Sequence, residues 1–286
     1  TMLRRARPAP WLLALLPAAA ALRAGRAPTA VGGGADAAAP PAFGADAVDA
    51  WLHMGHASQT LERNMYGPML VSLQDALEEV RARTRIVDRL SDTEMLQGVR
   101  GAVAMGRRPL VVDVAIQFGT GLSMKRLREC KTAGAYLVLY STEAADAETM
   151  SNLTAKLGAD EVWEYALSNI DRYSQEFRSR TPVRYMPPGY SPQLVAGVDL
   201  HSPDRQVEVA GFMGSFALRP RAIKLMYRSA LPGRLAIAGS TWSKEEVRLY
   251  LNRYPLQLNI HKDQSCCPHD PEEPVAMEAF RMAVLL

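Results

Sequence analysis

The sequence has few cysteines, little net charge and none of the common local catalytic motifs. Three cysteines in 286 residues do not make a disulfide framework, and because Cys266 and Cys267 are adjacent, at most one of them can pair with Cys130. The formal net charge is only +3, which argues against a nucleic-acid-binding protein. No nucleophile elbow, Walker loop or H-E-x-x-H pattern is present. Because no disulfide framework is expected, the stability of the fold must come from packing.

Acidic residues are also missing from the N-terminus, where none occurs before Asp36. Arg4, Arg5 and Arg7 precede an apolar run at residues 11–22, which is shorter than the roughly 20 residues that span a membrane. This pattern predicts a signal peptide or signal anchor over residues 1–26, and hence the secretory pathway, either the ER or Golgi lumen or secretion. The alternatives are an organellar transit peptide and a disordered extension. Membrane contact is expected only if the segment is retained as an anchor.

The rest of the chain divides into a linker and two units. Residues 27–47 are mostly Ala, Gly and Pro, which predicts a flexible linker. A second Pro- and Gly-rich stretch, residues 187–204, separates an N-terminal domain at 48–195 from a C-terminal domain at 205–286. The second unit has three predicted strands and stops within a predicted helix, so we expect it to be truncated.

Short apolar runs alternate with segments of helical period throughout both units. Predicted strands cover residues 111–116, 136–140, 183–186, 207–213, 235–238 and 256–260. An apolar stripe marks one helix at Met69, Leu73, Leu77 and Val80. Three further helices have start signals, which are Ser91 with Glu94, Ser168 with Asp171, and Ser243 with Glu246. This alternation predicts an α/β fold with two Rossmann-like units, each built on a parallel sheet.

Ligands of parallel sheets bind at the carboxyl ends of the strands, so the residues there are the first candidates. Gly214 and Ser215 follow the first strand of the second unit, where backbone N–H groups can receive a phosphate. Arg219 and Arg221 are close enough to add charge-assisted hydrogen bonds to a diphosphate. The alternative is a simple tight turn at Gly214, since the full dinucleotide fingerprint is absent.

The C-terminal segment contains further candidates for binding a ligand. Asn259 and His261 end the last predicted strand, which places them at the ligand-binding edge or leaves His261 as a packed or surface residue. Glu278 and Arg281 are three residues apart on a predicted helix and can face one side of it. They either reach a ligand hydroxyl or form a surface ion pair that contributes little.

In the first unit, Glu143 is the best candidate for a general acid or base. It follows the predicted strand at 136–140, and Ser141 and Thr142 lie beside it. The alternative is an acid that is favoured at a helix N-terminus by the helix dipole. Asp113 lies inside a neighbouring predicted strand.

A metal site is not expected in either place where cysteines or histidines cluster. Cys266, Cys267, His269 and Asp270 have no second ligand pair elsewhere, which structural zinc sites require. His53 and His56 are a separate pair whose spacing suits a metal, but no nearby acid is expected to complete a site. We therefore predict neither a metal nor a bound cofactor.

Several short segments occur in an order that resembles GT-B-fold glycosyltransferases of the family-one-like and spore-maturation-protein-like group. They are the strand exit at 140–143, the Trp- and Asn-containing segment at 163–169, the Pro-Gly-Tyr connector at 188–190 and the Gly-Phe-Met-Gly-Ser turn at 211–215. The resemblance covers about residues 135–286. The strand, turn and second glutamate that follow the last helix in this family are absent from the sequence.

The resemblance implies transfer of a sugar from a nucleotide-sugar co-substrate to a glycan, protein or small-molecule acceptor. Gly214, Ser215 and Arg219 would then lie near the donor diphosphate, and His261 and Glu278 near the donor sugar or ribose. One alternative is a non-catalytic carbohydrate- or protein-binding remnant of the same fold. Another is a nicotinamide-dependent oxidoreductase, against which the lack of an acid after residues 235–238 argues.

Overall fold

The computed structural model describes residues 48–54, 66–88, 91–114, 121–142, 147–186, 197–199, 201–213, 234–238 and 244–258. The first part contains β1 (Val48–Met54), α1 (Gly67–Glu79), β2 (Arg83–Asp88), α2 (Asp92–Ala104), β3 (Arg108–Val114), α3 (Gly121–Thr132), β4 (Tyr136–Ser141), α4 (Ala147–Leu157), β5 (Glu161–Glu164), α5 (Leu167–Ile170), α6 (Gln175–Arg180) and β6 (Val183–Tyr185). The second part contains β7 (Ala210–Met213), β8 (Leu235–Ala238), α7 (Lys244–Arg253) and β9 (Leu256–Gln257).

The first sheet has six parallel strands in the order β2-β1-β3-β4-β5-β6. The chain passes from β1 to the edge strand β2, crosses back to β3 on the other side of β1, and then continues in one direction. The strand order therefore reverses between β1 and β3, which is where doubly wound sheets bind ligands beyond the carboxyl ends of their strands. This topology confirms the α/β, Rossmann-like fold expected from the sequence.

Each face of this sheet carries its own hydrophobic core. Leu52 of β1 packs with Leu70 of α1 on one face, and Trp51 of β1 packs with Val99 of α2 and Leu127 of α3 on the other. All five side chains are at most 5% exposed. Burying a side chain of this size contributes about 1.5–3 kcal/mol. The apolar strands expected from the sequence are therefore buried on both sides, as in other parallel sheets.

Glycine permits the close approach of α2 to the sheet. A Cβ on Gly98 would lie 2.8 Å from Cζ2 of Trp51, nearer than real Cβ contacts. Gly101, one turn later, has open space around the same position. Only Gly98 is therefore required by packing between the helix and β1.

Buried carboxylates inside the strands have hydrogen-bond or ion-pair partners. Arg107 donates two hydrogen bonds to the carboxylate of Asp49, at 2.7 and 2.8 Å. Glu161 accepts a hydrogen bond from Nε1 of Trp163 at 2.9 Å and forms an ion pair with Arg184 at 2.7 Å. These partners allow carboxylates to be buried, a change that is costly for an unpaired charge.

Two helix starts differ from the sequence predictions. Ser91 precedes α2 as its spacing from Glu94 predicts, but its hydroxyl donates to Oδ1 of Asp88 and makes no capping hydrogen bond to the helix. Ser168 lies inside the short helix α5 and does not open a longer one. The chain turns after α5, and Ser174 caps the separate helix α6 by accepting a hydrogen bond from the backbone N–H of Phe177 at 3.1 Å.

The second sheet has three described parallel strands in the order β8-β7-β9. β8 has the predicted bounds, whereas β7 begins three residues later than expected. Tyr250 of α7 links the helix to the sheet, because its hydroxyl donates to the carbonyl of Ala236 and accepts from the N–H of Phe212, both at 2.7 Å. Within the described ranges, no helix combines the length and apolar character needed to cross a membrane.

Candidate functional site

A histidine and an aspartate meet where the strand order of the first sheet reverses. His53 is the penultimate residue of β1, Asp113 is the penultimate residue of β3, and the two are directly opposite each other in the parallel register. Nδ1 of His53 lies 3.3 Å from Oδ2 of Asp113, and both side chains are fully buried. Their alternation with Leu52 and Val112 places both on the face that α2 covers.

A second carboxylate reaches the same imidazole from a helix. Asp92 is the first residue of α2, and its Oδ1 lies 2.6 Å from Nε2 of His53. The positive end of the helix dipole favours a carboxylate at this position. Both ring nitrogens of His53 therefore face a carboxylate oxygen. We refer to His53, Asp92 and Asp113 as the His53 cluster.

The cluster changes the proton affinity of its members. Burial by itself would lower the pKa of His53, but the charges and hydrogen bonds of Asp113 and Asp92 outweigh this effect and raise that pKa to about 9. Burial also raises the pKa of Asp113, against the lowering effect of His53. His53 is therefore an imidazolium at neutral pH and can donate a hydrogen bond from each nitrogen.

In each carboxyl group of the cluster, only one of the two oxygens contacts His53. Oδ2 of Asp92 and Oδ1 of Asp113 are buried and lack a hydrogen-bond partner among the described residues. An unsatisfied buried polar group costs about 1–3 kcal/mol, so each oxygen is an acceptor site for a ligand hydroxyl or another proton donor.

The cluster corrects one inference from the sequence, which was that no acid lies near His53. Two acids contact this residue, although they are 39 and 60 positions away in the chain. His56, the second histidine of the pair considered for a metal, lies outside the described residues. No group of three His, Cys, Asp or Glu side chains in the described part of the chain has an arrangement that could hold a metal ion.

A further buried acid, Glu164, ends β5 beside Ser141 of β4. Its carboxylate accepts hydrogen bonds from the N–H of Ala166 at 3.2 Å, from Nδ2 of Asn169 at 3.0 Å and from the hydroxyl of Tyr173 at 3.1 Å. Burial raises the pKa of Glu164, and these donors, together with Ser141, oppose that rise. Because both oxygens of Glu164 accept hydrogen bonds, this carboxylate holds the segment that follows β5 in place. Glu164 is therefore a weaker candidate for a catalytic residue than Asp113.

The residues predicted to form the site lie outside the described ranges. They are Glu143, Gly214, Ser215, Arg219, Asn259, His261, Glu278 and Arg281, and they stay predictions. The cysteine- and histidine-containing segment at 266–270 also lies outside. Ser141 and Thr142, which precede Glu143, are buried at the carboxyl end of β4.

The sequence patterns do not predict the His53 cluster, because none of them marks β1 as a strand. The available signal was a histidine inside the apolar segment Ala-Trp-Leu-His-Met, residues 50–54, at the end of a strand-length run. A carboxylate within an otherwise apolar run, Asp113, was a second signal of the same kind.

Comparisons with known proteins do not assign a family. No family model and no curated protein matches this chain. Among solved structures, a solute-binding protein of an ABC transporter system from Conexibacter woesei matches over 72% of this chain at 15% identity, with a TM-score of 0.30. The match covers 55% of that protein, so the chain spans about half its length. A likeness at this level informs neither fold nor function.

Proposed function

We propose that this protein is a glycosyltransferase of GT-B type, which moves a sugar from a nucleotide-sugar donor to an acceptor hydroxyl. The observation that carries the proposal is the pairing of His53 with Asp113 at the reversal of strand order, the usual ligand position of a doubly wound sheet. The reaction class of the proposal comes from the ordered sequence motifs that resemble this group of enzymes. The fold alone would not supply one, since many activities share it.

Asp113 is the residue best suited to act as general base. Its Oδ2 is held by His53, while its Oδ1 has no partner among the described residues. Burial raises the pKa of Asp113, which makes it a stronger base than an exposed carboxylate. In the free protein Oδ1 is buried, so the acceptor hydroxyl must displace protein atoms to reach it.

The proposed step needs only the donor, the acceptor and Asp113. Asp113 takes the proton of the acceptor hydroxyl as the acceptor oxygen bonds to the anomeric carbon of the donor sugar. The bond from that carbon to the nucleoside diphosphate breaks, and the diphosphate leaves with the electron pair. His53, already protonated and held by Asp92, orients Asp113 and does not itself remove a proton.

The donor is assigned to the second sheet. Its strand order, β8-β7-β9, reverses around β7 in the same way as the first sheet reverses around β1. Gly214, Ser215 and Arg219 follow β7 in sequence and would bind the diphosphate through backbone N–H groups and the guanidinium. His261, Asn259, Glu278 and Arg281 complete the proposed donor contacts.

The test combines donor binding with sugar transfer. Calorimetry with UDP-, GDP- and ADP-sugars is expected to reveal binding of one donor class, and Asp113→Asn is expected to keep that binding while transfer falls by about 10²–10⁴-fold. Asp171→Asn removes an acid whose side chain is 91% exposed and should leave both unchanged. Failure of every nucleotide-sugar to bind, or full transfer activity in a folded Asp113→Asn variant, would refute the proposal.

A second candidate is a non-catalytic carbohydrate-binding protein of the same fold. It is favoured by the full burial of His53 and by the engagement of both its ring nitrogens, which suit a structural cluster. Glycan-array binding without donor hydrolysis or transfer would select this candidate over the enzyme.

A further inference from the structure

The outer surface of the first domain carries a basic groove between α2 and α3. The groove has a volume of about 670 Å³ and is lined by Arg100, Val103, Ala104, Lys125, Arg128, Glu129, Thr132 and Ala133. Three of these side chains are cationic and one is anionic. The groove is separate from the His53 cluster, none of whose members lines it.

The positive charge of this groove is not neutralised within the described parts of the chain. Neither Arg100 nor Arg128 forms an ion pair there, and both side chains are exposed. Glu129 is already engaged by Arg126, whose Nη1 lies 2.5 Å from Oε2, and more weakly by Lys125 at 4.0 Å. A protein of net charge +3 thus concentrates three cations at one groove, and two of them have no ion-pair partner among the described residues.

The floor between these cations is apolar. Val103 is 44% exposed, and Ala104 and Ala133 continue the same surface. Met105, which follows α2, is 65% exposed. A purely solvated helix face would carry polar residues at these positions. An apolar floor with a cationic rim matches the anatomy of an interface, in which apolar contacts lie centrally and charges surround them.

We propose that this groove docks an acidic, partly apolar peptide segment of another protein. Charge complementarity selects an anionic partner, and the exposed valine and alanines select one that also presents apolar side chains. A nucleic acid would be expected to recruit a longer basic track, and an anionic membrane a larger apolar face. The inference does not depend on the proposed transferase activity.

The experiment measures binding of a fluorescein-labelled synthetic peptide of alternating Glu and Leu by fluorescence anisotropy. The full chain is expected to bind it, to bind a Gln-Leu peptide at least about tenfold more weakly, and to lose affinity as salt is added. The double variant Arg100→Glu and Arg128→Glu should weaken binding by about tenfold or more. Val103→Ser tests the apolar floor and should weaken binding severalfold.

Lys156→Glu provides the control, because it reverses one charge, as each of the two groove substitutions does, at an exposed position of α4 outside the groove. The affinity of this variant for the Glu-Leu peptide should stay within about twofold of that of the unmodified protein, since salt screens an exposed charge over distance. Urea unfolding establishes that each variant is folded. Equal binding of the Glu and Gln peptides, or unchanged binding in the double variant, overturns the proposal. So does tighter groove-dependent binding of an oligonucleotide or of phosphatidylserine vesicles.

Discussion

Raising the pH through the titration of His53 is expected to destabilise the folded protein. The pKa of this group rises from 6.5 to about 9 on folding, because the two carboxylates outweigh the effect of burial. The folded state therefore holds a proton that the unfolded state releases between these values. The contribution to stability is fully present below about pH 6.5 and is lost as the pH rises through about 9. A change of this size corresponds to about 3 kcal/mol.

The assay is urea unfolding measured at intervals from about pH 6 to about pH 9.5. The free energy of unfolding of the unmodified protein should fall across this interval by about 3 kcal/mol, and that of His53→Asn should fall much less. Direct titration of the His53 imidazole by NMR supplies a second measurement if the variant does not fold. A midpoint near 6.5 in the folded protein, or an unchanged pH profile in a folded His53→Asn variant, would refute the cluster as described.

Two further predictions test the packing of α2 and the buried carboxylate of Glu164. Gly98→Ala places a Cβ 2.8 Å from Trp51, whereas Gly101→Ala gains helix propensity without a clash. The Gly98→Ala variant should therefore be about 1–3 kcal/mol less stable than the Gly101→Ala variant. Equal stabilities of the two variants in urea unfolding would contradict the described approach of α2 to β1. Glu164→Leu leaves the N–H of Ala166, the side-chain amide of Asn169 and the hydroxyl of Tyr173 without their common acceptor and should cost about 1–3 kcal/mol by thermal unfolding. A neutral result would mean that Glu164 is not satisfied as described.

The sequence by itself determined the fold class and the elements with uninterrupted apolar patterns. β8 was predicted with its observed bounds, β4 lacked only its last residue, Ser141, and the stripe beginning at Met69 marked α1. These segments are recognisable because a buried strand or helix face needs apolar side chains at regular spacing, and that spacing is visible without any partner.

The strands that were not predicted, β1, β2 and β5, each contain charged residues. β1 contains Asp49 and His53, and β5 begins and ends with a glutamate. A charged residue normally argues against a buried strand, because burial of an unpaired charge is unfavourable. Only the folded chain supplies the partners, such as Arg107 for Asp49, that make these segments acceptable in the interior.

The candidate site was decided entirely by tertiary structure. Asp92 and Asp113 are remote from His53 in sequence, and no local spacing connects them. They meet because the parallel register sets His53 opposite Asp113 and because α2 begins over the same strand ends. The sequence specified which side chains are available and which segments form strands. The crossover from β2 to β3, which places β3 beside β1, decided which of those side chains share a site, because only the order of strands in the sheet makes distant strand ends neighbours.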